Sequence, residues 1–113
     1  MPKSMSTRAL DEAMASPDAP QVIDVRRQPA FDASETMITG ASWRNPDQID
    51  IWAPELDRSR TAVVYCVHGH QVSQGCAVRL EEAGFRAAYL EGGFEKWAVE
   101  ERSAAPKPTR EPG

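Results

Sequence analysis

No run of apolar residues in this chain approaches the roughly 18 needed for a membrane-spanning helix, and nowhere do basic residues cluster as a nucleic-acid or anionic-lipid surface would require. Lysines and arginines number 13 against 17 aspartates and glutamates, a net charge of −4. The positive field that gathers polyanions is therefore missing, and neither nucleic acid nor a membrane is expected as partner. There are only two cysteines and no recognisable secretion signal. A disulfide framework is thus excluded, and a reducing compartment, by default the cytoplasm, is the expectation. Internal repeats are also lacking. A chain of 113 residues makes one domain with one core and needs neither metal nor cofactor to hold it together. We expect that domain over residues 1–103. Residues 104–113, with three prolines in the last eight positions, should form a flexible tail.

The most informative stretch begins at Ala62-Val63-Val64-Tyr65, a short apolar, β-branched and aromatic run typical of a strand covered on both faces. Cys66 then stands at the strand's C-terminal end. Beyond it the period changes, because Cys76, Ala77, Leu80, Ala83 and Gly84 recur at helical spacing, with Ser73 available as N-cap. Val67, His68, Gly69, His70, Gln71 and Val72 thus form a loop ending at a helix N-terminus. Successive backbone N–H groups and the helix dipole stabilise negative charge at such a place, so a thiol there is favoured as the nucleophilic thiolate. Ligands of open parallel sheets also bind outside the carboxyl ends of the strands. Cys76, by contrast, falls on the apolar stripe of the following helix and reads as packing.

In chain order, Met1 to Ser4 is expected to fray, and Ser6 or Thr7 to cap a first helix carrying Leu10, Ala13 and Met14 inward. Gln21 to Arg26 reads as a second buried strand, with Asp24 as a structural carboxylate bonded to backbone or to an arginine. A helical turn around Phe31, a brief strand after Ile38-Thr39-Gly40-Ala41 and a short helix over 47–53, with Ile49 and Trp52 inward, follow. Arg26 and Arg44, each near a strand end, are candidates to bring positive charge to the Cys66 pocket. Gly84 suits the C′ position of the helix over 73–83, Arg86 to Leu90 reads as a further strand, and Glu91-Gly92-Gly93 as a turn before a helix from Phe94 to about Glu101. Strands alternating with helices indicate an α/β fold with a parallel sheet.

Val22-Ile23-Asp24-Val25-Arg26, Ile38-Thr39-Gly40-Ala41, the Cys66 loop and Glu91-Gly92-Gly93-Phe94-Glu95-Lys96-Trp97, taken in order and spacing, resemble the hallmarks of a single-domain rhodanese over about residues 6–100. The resemblance implies a central parallel sheet of about five strands flanked by helices, in which Asp24, Gly92, Gly93 and Trp97 serve the structure. It also implies a sulfurtransferase: Cys66 takes a sulfane sulfur from a small donor such as thiosulfate, carries it as a persulfide, and passes it to a thiol, to cyanide or to a protein acceptor. Residues 67–73, with Arg26 and Arg44, would then bind substrate.

The departures from the family pattern bear on mechanism. The usual loop is C-x-x-G-x-R followed by serine or threonine. Here seven residues precede Ser73 if that serine is the cap, no arginine or lysine lies between Cys66 and Ser73, and Met37 stands where the family often has histidine. A seven-residue loop is similar to the C-x5-R cradle of related phosphatases and arsenate reductases. Neither Gln71 nor Val72, the two positions where an arginine could close it, supplies the guanidinium that holds a phosphoryl dianion. Cys66, His68 and His70 alternate, but structural zinc ligands come as pairs on two segments and no second segment completes this set. Either histidine could instead bond or protonate the sulfur. A third reading is a sulfur-carrier or regulatory module that docks a protein beside Trp43 and Trp52.

Overall fold

The computed structural model describes residues 2–107. Five strands, β1 (Lys3–Met5), β2 (Gln21–Asp24), β4 (Ser42–Trp43), β5 (Ala62–Tyr65) and β6 (Ala87–Leu90), make one parallel sheet in the order β1-β6-β5-β2-β4. Strand β3 (Thr36–Ile38) pairs antiparallel with β7 (Ala104–Pro106) in a separate two-stranded ribbon. The helices are α1 (Thr7–Met14), α2 (Gln28–Ala33), α3 (Ile49–Trp52), α4 (Gln71–Glu82) and α5 (Gly93–Val99), and 3-10 turns flank α3. Among the described residues no helix is long and apolar enough to cross a membrane.

The consecutive apolar residues of β2 and β5 are buried on both faces, because neighbouring side chains of a strand point to opposite sides. Ile23, Ala62 and Val64 join Ile49, Trp52, Cys76, Ala77 and Leu80 in one cluster, under α3 and α4. Val22, Val63 and Tyr65 join Leu10, Phe94 and Trp97 in the other, under α1 and α5. Helix α1 begins at Ser6, whose hydroxyl accepts from the Ala9 N–H at 3.1 Å. Helix α4 ends in a Schellman turn: Gly84 takes φ +98, its N–H reaches the Glu81 carbonyl, and the Phe85 N–H reaches that of Leu80.

Two expectations about the ends of the chain are corrected. Lys3–Met5 is not frayed but forms the edge strand β1, matching Ser4 with Tyr89 and Met5 with Leu90. Ala104–Pro106, expected in the loose tail, pairs with β3, and the Lys107 N–H reaches the Glu35 carbonyl. Both segments are held by backbone hydrogen bonds that demand no particular side chain. The remainder of the expected tail, 108–113, lies outside the described residues.

A buried polar unit lies at the C-terminal ends of β2 and β5. Asp24 is 0% and Arg26 2% exposed. Asp24 accepts from the Arg26 backbone N–H at 2.9 Å and from its guanidinium at 2.7 and 3.0 Å, and the Tyr65 hydroxyl donates to it at 3.0 Å. Arg26 also donates to the Thr36 carbonyl, and the Tyr65 oxygen accepts from the Ile38 N–H. Burial, then the Asp24 charge, pushes the Tyr65 hydroxyl well above the usual phenol range, so it stays a donor. The sequence led us to expect Asp24 bonded to backbone or to an arginine, and here it accepts from both the Arg26 backbone and its guanidinium. Tyr65→Phe should lower unfolding free energy by about 1.5–3 kcal/mol, the range for a hydrogen bond to a charged group. A shift of the urea midpoint at constant m measures it, and an unchanged midpoint would mean that the hydroxyl bonds contribute nothing net.

Candidate functional site

Cys66 follows β5 directly, its residue is 6% exposed, and its Sγ lies 3.1 Å from the Ser73 hydroxyl. Its loop is fixed from below by the turn that opens α5. The Cys66 carbonyl accepts from the Phe94 N–H at 2.8 Å and the Val67 carbonyl from the Glu95 N–H at 2.9 Å. Such close backbone packing leaves no room for side chains. A Cβ on Gly93 would lie 2.5 Å from both the Cys66 and Val67 oxygens, and one on Gly69 would lie 2.7 Å from the Leu90 oxygen. Gly69 and Gly93 also take φ +75 and +62, conformations that glycine alone adopts without cost.

Helix α4 starts two residues earlier than expected, at Gln71, with His70 in the N-cap position. Ser73 is therefore not the cap. It sits in the first turn, fully buried, and its hydroxyl turns to the thiol. The open part of the loop is correspondingly short, from Cys66 to His70. From His68 to Ser73, among the described residues, the N–H groups donate to no backbone carbonyl, which leaves donors of the loop and of the first helical turn to an anion.

A cleft of about 370 Å³ opens beside Cys66. Val67, His68, His70, Gln71 and Val72 form one wall and Arg26, Arg27 and Ala30 the other. Gly69 serves the loop's close packing instead. His68 is half exposed, and its Nδ1 lies 3.2 Å from a Glu95 carboxylate oxygen; the His68 and His70 rings are 6.1 Å apart. Arg26 reaches the cleft as a wall, but its charge is paired with Asp24 and its guanidinium is stacked 4.6 Å from the Phe94 ring centre.

Arg44 does not belong to this cleft. Its guanidinium donates to Glu55 at 2.8 Å, and its backbone N–H extends the sheet by bonding the Asp24 carbonyl. The arginine that does border the cleft is Arg27, one residue past Arg26, and it donates to both Asp47 carboxylate oxygens at 2.9 and 3.0 Å. Sequence reasoning stopped at Arg26; the rule that sites form beyond strand ends, carried one residue further, finds it. Ala30 and Glu95 were missed too, since only the fold brings α2 and α5 to the loop. Trp52 is buried and donates to the Asn45 carbonyl, while Trp43 stacks on Phe31 and donates to the Arg26 carbonyl. Both indoles are therefore held within the fold. Among the described residues no three His, Cys, Asp or Glu side chains are grouped as a metal set.

Cys76 packs in the core, and burial pushes its thiol up to about 11. The folded protein keeps it neutral to higher pH than the unfolded chain does. Its contribution to stability is therefore complete below the ordinary thiol range of about 8.5 and is lost as pH rises toward about 11.

The model of the rhodanese-like domain family matches residues 6–100. Among solved structures, a full-length protein from Lactobacillus plantarum is 26% identical with a TM-score of 0.81, over 91% of this chain and 87% of that one. A rhodanese-related protein from Thermoplasma volcanium is 22% identical with a TM-score of 0.79, over 91% and 97% of the two chains. A Rhodopseudomonas palustris protein of unknown function, a possible tyrosine phosphatase, is 19% identical with a TM-score of 0.80, over 92% and 85%. The last two likenesses speak to the fold alone.

Two outcomes follow from this geometry. Gly93→Ala should destabilise by at least about 2 kcal/mol, since a left-handed alanine costs about 1–2 and the clash with two carbonyls about 1–3 more; a melting temperature equal to wild type would contradict the backbone contact. In iodoacetamide labelling at pH 8, burial keeps the Cys76 thiol neutral, so peptide mapping should find Cys66 modified at least about 10-fold sooner, with Cys76 gaining only toward pH 10 and above. Equal labelling at pH 8 would refute the contrast.

Proposed function

Because the chain belongs to the family of rhodanese-like domains, we propose that it is a sulfurtransferase in which Cys66 carries the sulfur. The observation that carries this reading is the placement of a cysteine at a parallel strand's end, beside a cleft, on a loop whose N–H groups lack backbone acceptors. Those donors stabilise negative charge on the sulfur before and after transfer. The Cys66 thiolate attacks the outer sulfur of a donor such as thiosulfate, forming the Cys66 S–S bond as the donor's own S–S bond breaks and sulfite leaves with its electron pair. The persulfide's terminal sulfur is then taken by a thiolate or cyanide, which restores the Cys66 thiolate. The Ser73 hydroxyl, 3.1 Å away, bonds the inner sulfur, and His68, oriented by Glu95, faces the same cleft as a proton source.

Hydrolysis of phosphate esters is disfavoured by charge. The loop holds no arginine, and the two at the cleft are paired with Asp24 and Asp47. Phosphoryl transfer draws most of its acceleration from groups that neutralise the equatorial oxygens. A protein sulfur acceptor, a regulatory role and a cytoplasmic setting remain compatible with the same site.

Intact mass spectrometry tests the reading. Reduced protein given a sulfane donor should gain one sulfur atom; Cys66→Ser should lose that gain, whereas Cys76→Ser should keep most of it. Equal loss in both variants would point to a two-cysteine relay. Aryl phosphate hydrolysis that disappears with Cys66 would make the protein a phosphatase instead.

A further inference from the structure

One side chain outside the loop holds the peptide unit at its far end. Gln74, one turn into α4, donates from its side-chain amide to the Gly69 carbonyl at 3.0 Å, and its backbone N–H donates to the His70 carbonyl at 3.0 Å. A trans peptide is planar, with its C=O and N–H pointing in opposite directions. Drawing the Gly69 oxygen toward α4 therefore aims the His70 N–H the other way. That N–H donates to no backbone carbonyl among the described residues, and His70 borders the cleft together with Cys66.

The Gly69–His70 peptide has an alternative orientation. Position 69 must be glycine, because a Cβ there would collide with the Leu90 and Gly92 backbone. The same lack of a Cβ leaves rotation about ψ of Gly69 almost unopposed, so sterics alone do not choose between this orientation and its reverse. The helix does not choose either: its first bond to the loop, at the His70 carbonyl, fixes the peptide that follows. In the reverse orientation the partly negative Gly69 oxygen would face the side where the His70 N–H now points, and the loop would lose one donor to an anion.

From this geometry we propose that Gln74 is a positioning residue, whose side chain holds the Gly69–His70 peptide so that the His70 N–H donates to negative charge on the Cys66 sulfur. Gln74 stands behind the loop and does not border the cleft itself. The inference deepens the sulfurtransferase reading and rests on its assignment of Cys66 as the reactive thiol, but the charge on that thiol can be followed without any sulfur donor.

Gln74→Met and Gln74→Leu remove the donor and keep an uncharged, helix-forming side chain, so a folding defect in one leaves the other to decide. Alkylation of Cys66 in the reduced full chain is followed by peptide mapping between about pH 5 and pH 10, and sulfur gain from thiosulfate by intact mass in the same proteins. The pH at which the alkylation rate is half its plateau should rise by at least about half a unit in both variants, a fraction of what one hydrogen bond to a charged group contributes. Below that midpoint sulfur gain should slow at least about 3-fold, in step with the thiolate fraction. The titratable and charged groups around Cys66 are His68 and His70 on the loop, Arg26 and Arg27 across the cleft, Glu95 from α5 and Cys76 from α4. All are retained in the variants, so none of them accounts for a shift. A lower melting temperature with an unmoved midpoint would mean that Gln74 only braces the loop, which overturns the proposal and leaves the sulfurtransferase reading standing. Wild-type protein that gains no sulfur, while both variants still move the midpoint, takes down the sulfurtransferase reading and supports the positioning role.

Discussion

The site depends on one contact, the stacking of the Cys66–Gly69 backbone directly on the Gly92-Gly93 turn. Two hydrogen bonds, from the Phe94 and Glu95 N–H groups to the Cys66 and Val67 carbonyls, tie α5 to the loop. They form only because no side chain stands between the two backbones: a Cβ at Gly69 or Gly93 would meet the facing backbone at under 3 Å. With the Cys66 and Val67 carbonyls taken by the turn, the N–H groups from His68 to Ser73 are without backbone partners among the described residues. Polarity of the site thus follows from which end of each peptide unit is used up in folding. A second link holds the thiol itself, since burial of Ser73 in the first turn of α4 brings its hydroxyl to the sulfur.

The Asp24, Arg26 and Tyr65 unit governs the charge of the neighbouring wall. An unpaired arginine this deeply buried would be costly, and a buried pair is tolerated because its remaining donors are also satisfied. Here Asp24 takes the guanidinium, the Thr36 carbonyl takes a further N–H, and Phe94 covers the face. The guanidinium that lies nearest the strand ends is therefore a structural part, joining β2, β5 and β3. Arg26 borders the cleft with its charge paired to Asp24.

How much of this was legible in the sequence varies with the physical cause. The sheet, the cysteine at the end of its central strand and the helix after it were legible because burial on two faces and helical burial leave different periods in the sequence. The bonding of Asp24 to an arginine was an expectation drawn from a carboxylate interrupting an apolar run, and the Arg26 guanidinium supplies that bond. Ser73 was misread because a serine at a loop-to-helix boundary serves equally as cap or as first-turn residue, and only the packing of Gly69 against the Leu90 and Gly92 backbone fixes where the helix begins. β1 and β7 were invisible since Lys-Ser-Met and Ala-Ala-Pro carry no strand signal of their own; their hydrogen bonds come from the edges they join. Arg27 and Arg44 look alike in the chain. Their fates are set by Asp47 and Glu55, contacts 20 and 11 residues away that no local pattern encodes.

One fold thus carries different chemistries, and backbone similarity does not distinguish them. A TM-score of 0.80 to a possible phosphatase and 0.79 to a rhodanese-related protein say that the backbone fold is shared. What divides the chemistries is how many positive charges face the loop and remain unpaired. A phosphoryl group presents charge on several oxygens that must be met at once, and backbone dipoles without a guanidinium are a poor match for it. A sulfur transferred between two sulfurs presents little charge on the moving atom. The negative charge passes from the attacking thiolate to the terminal sulfur, one bond away, within reach of one set of N–H donors. A loop that has valine and glutamine where a closing arginine would stand, and whose neighbouring arginines are tied to Asp24 and Asp47, lacks the charges the first task needs, and this is the physical ground for proposing the second.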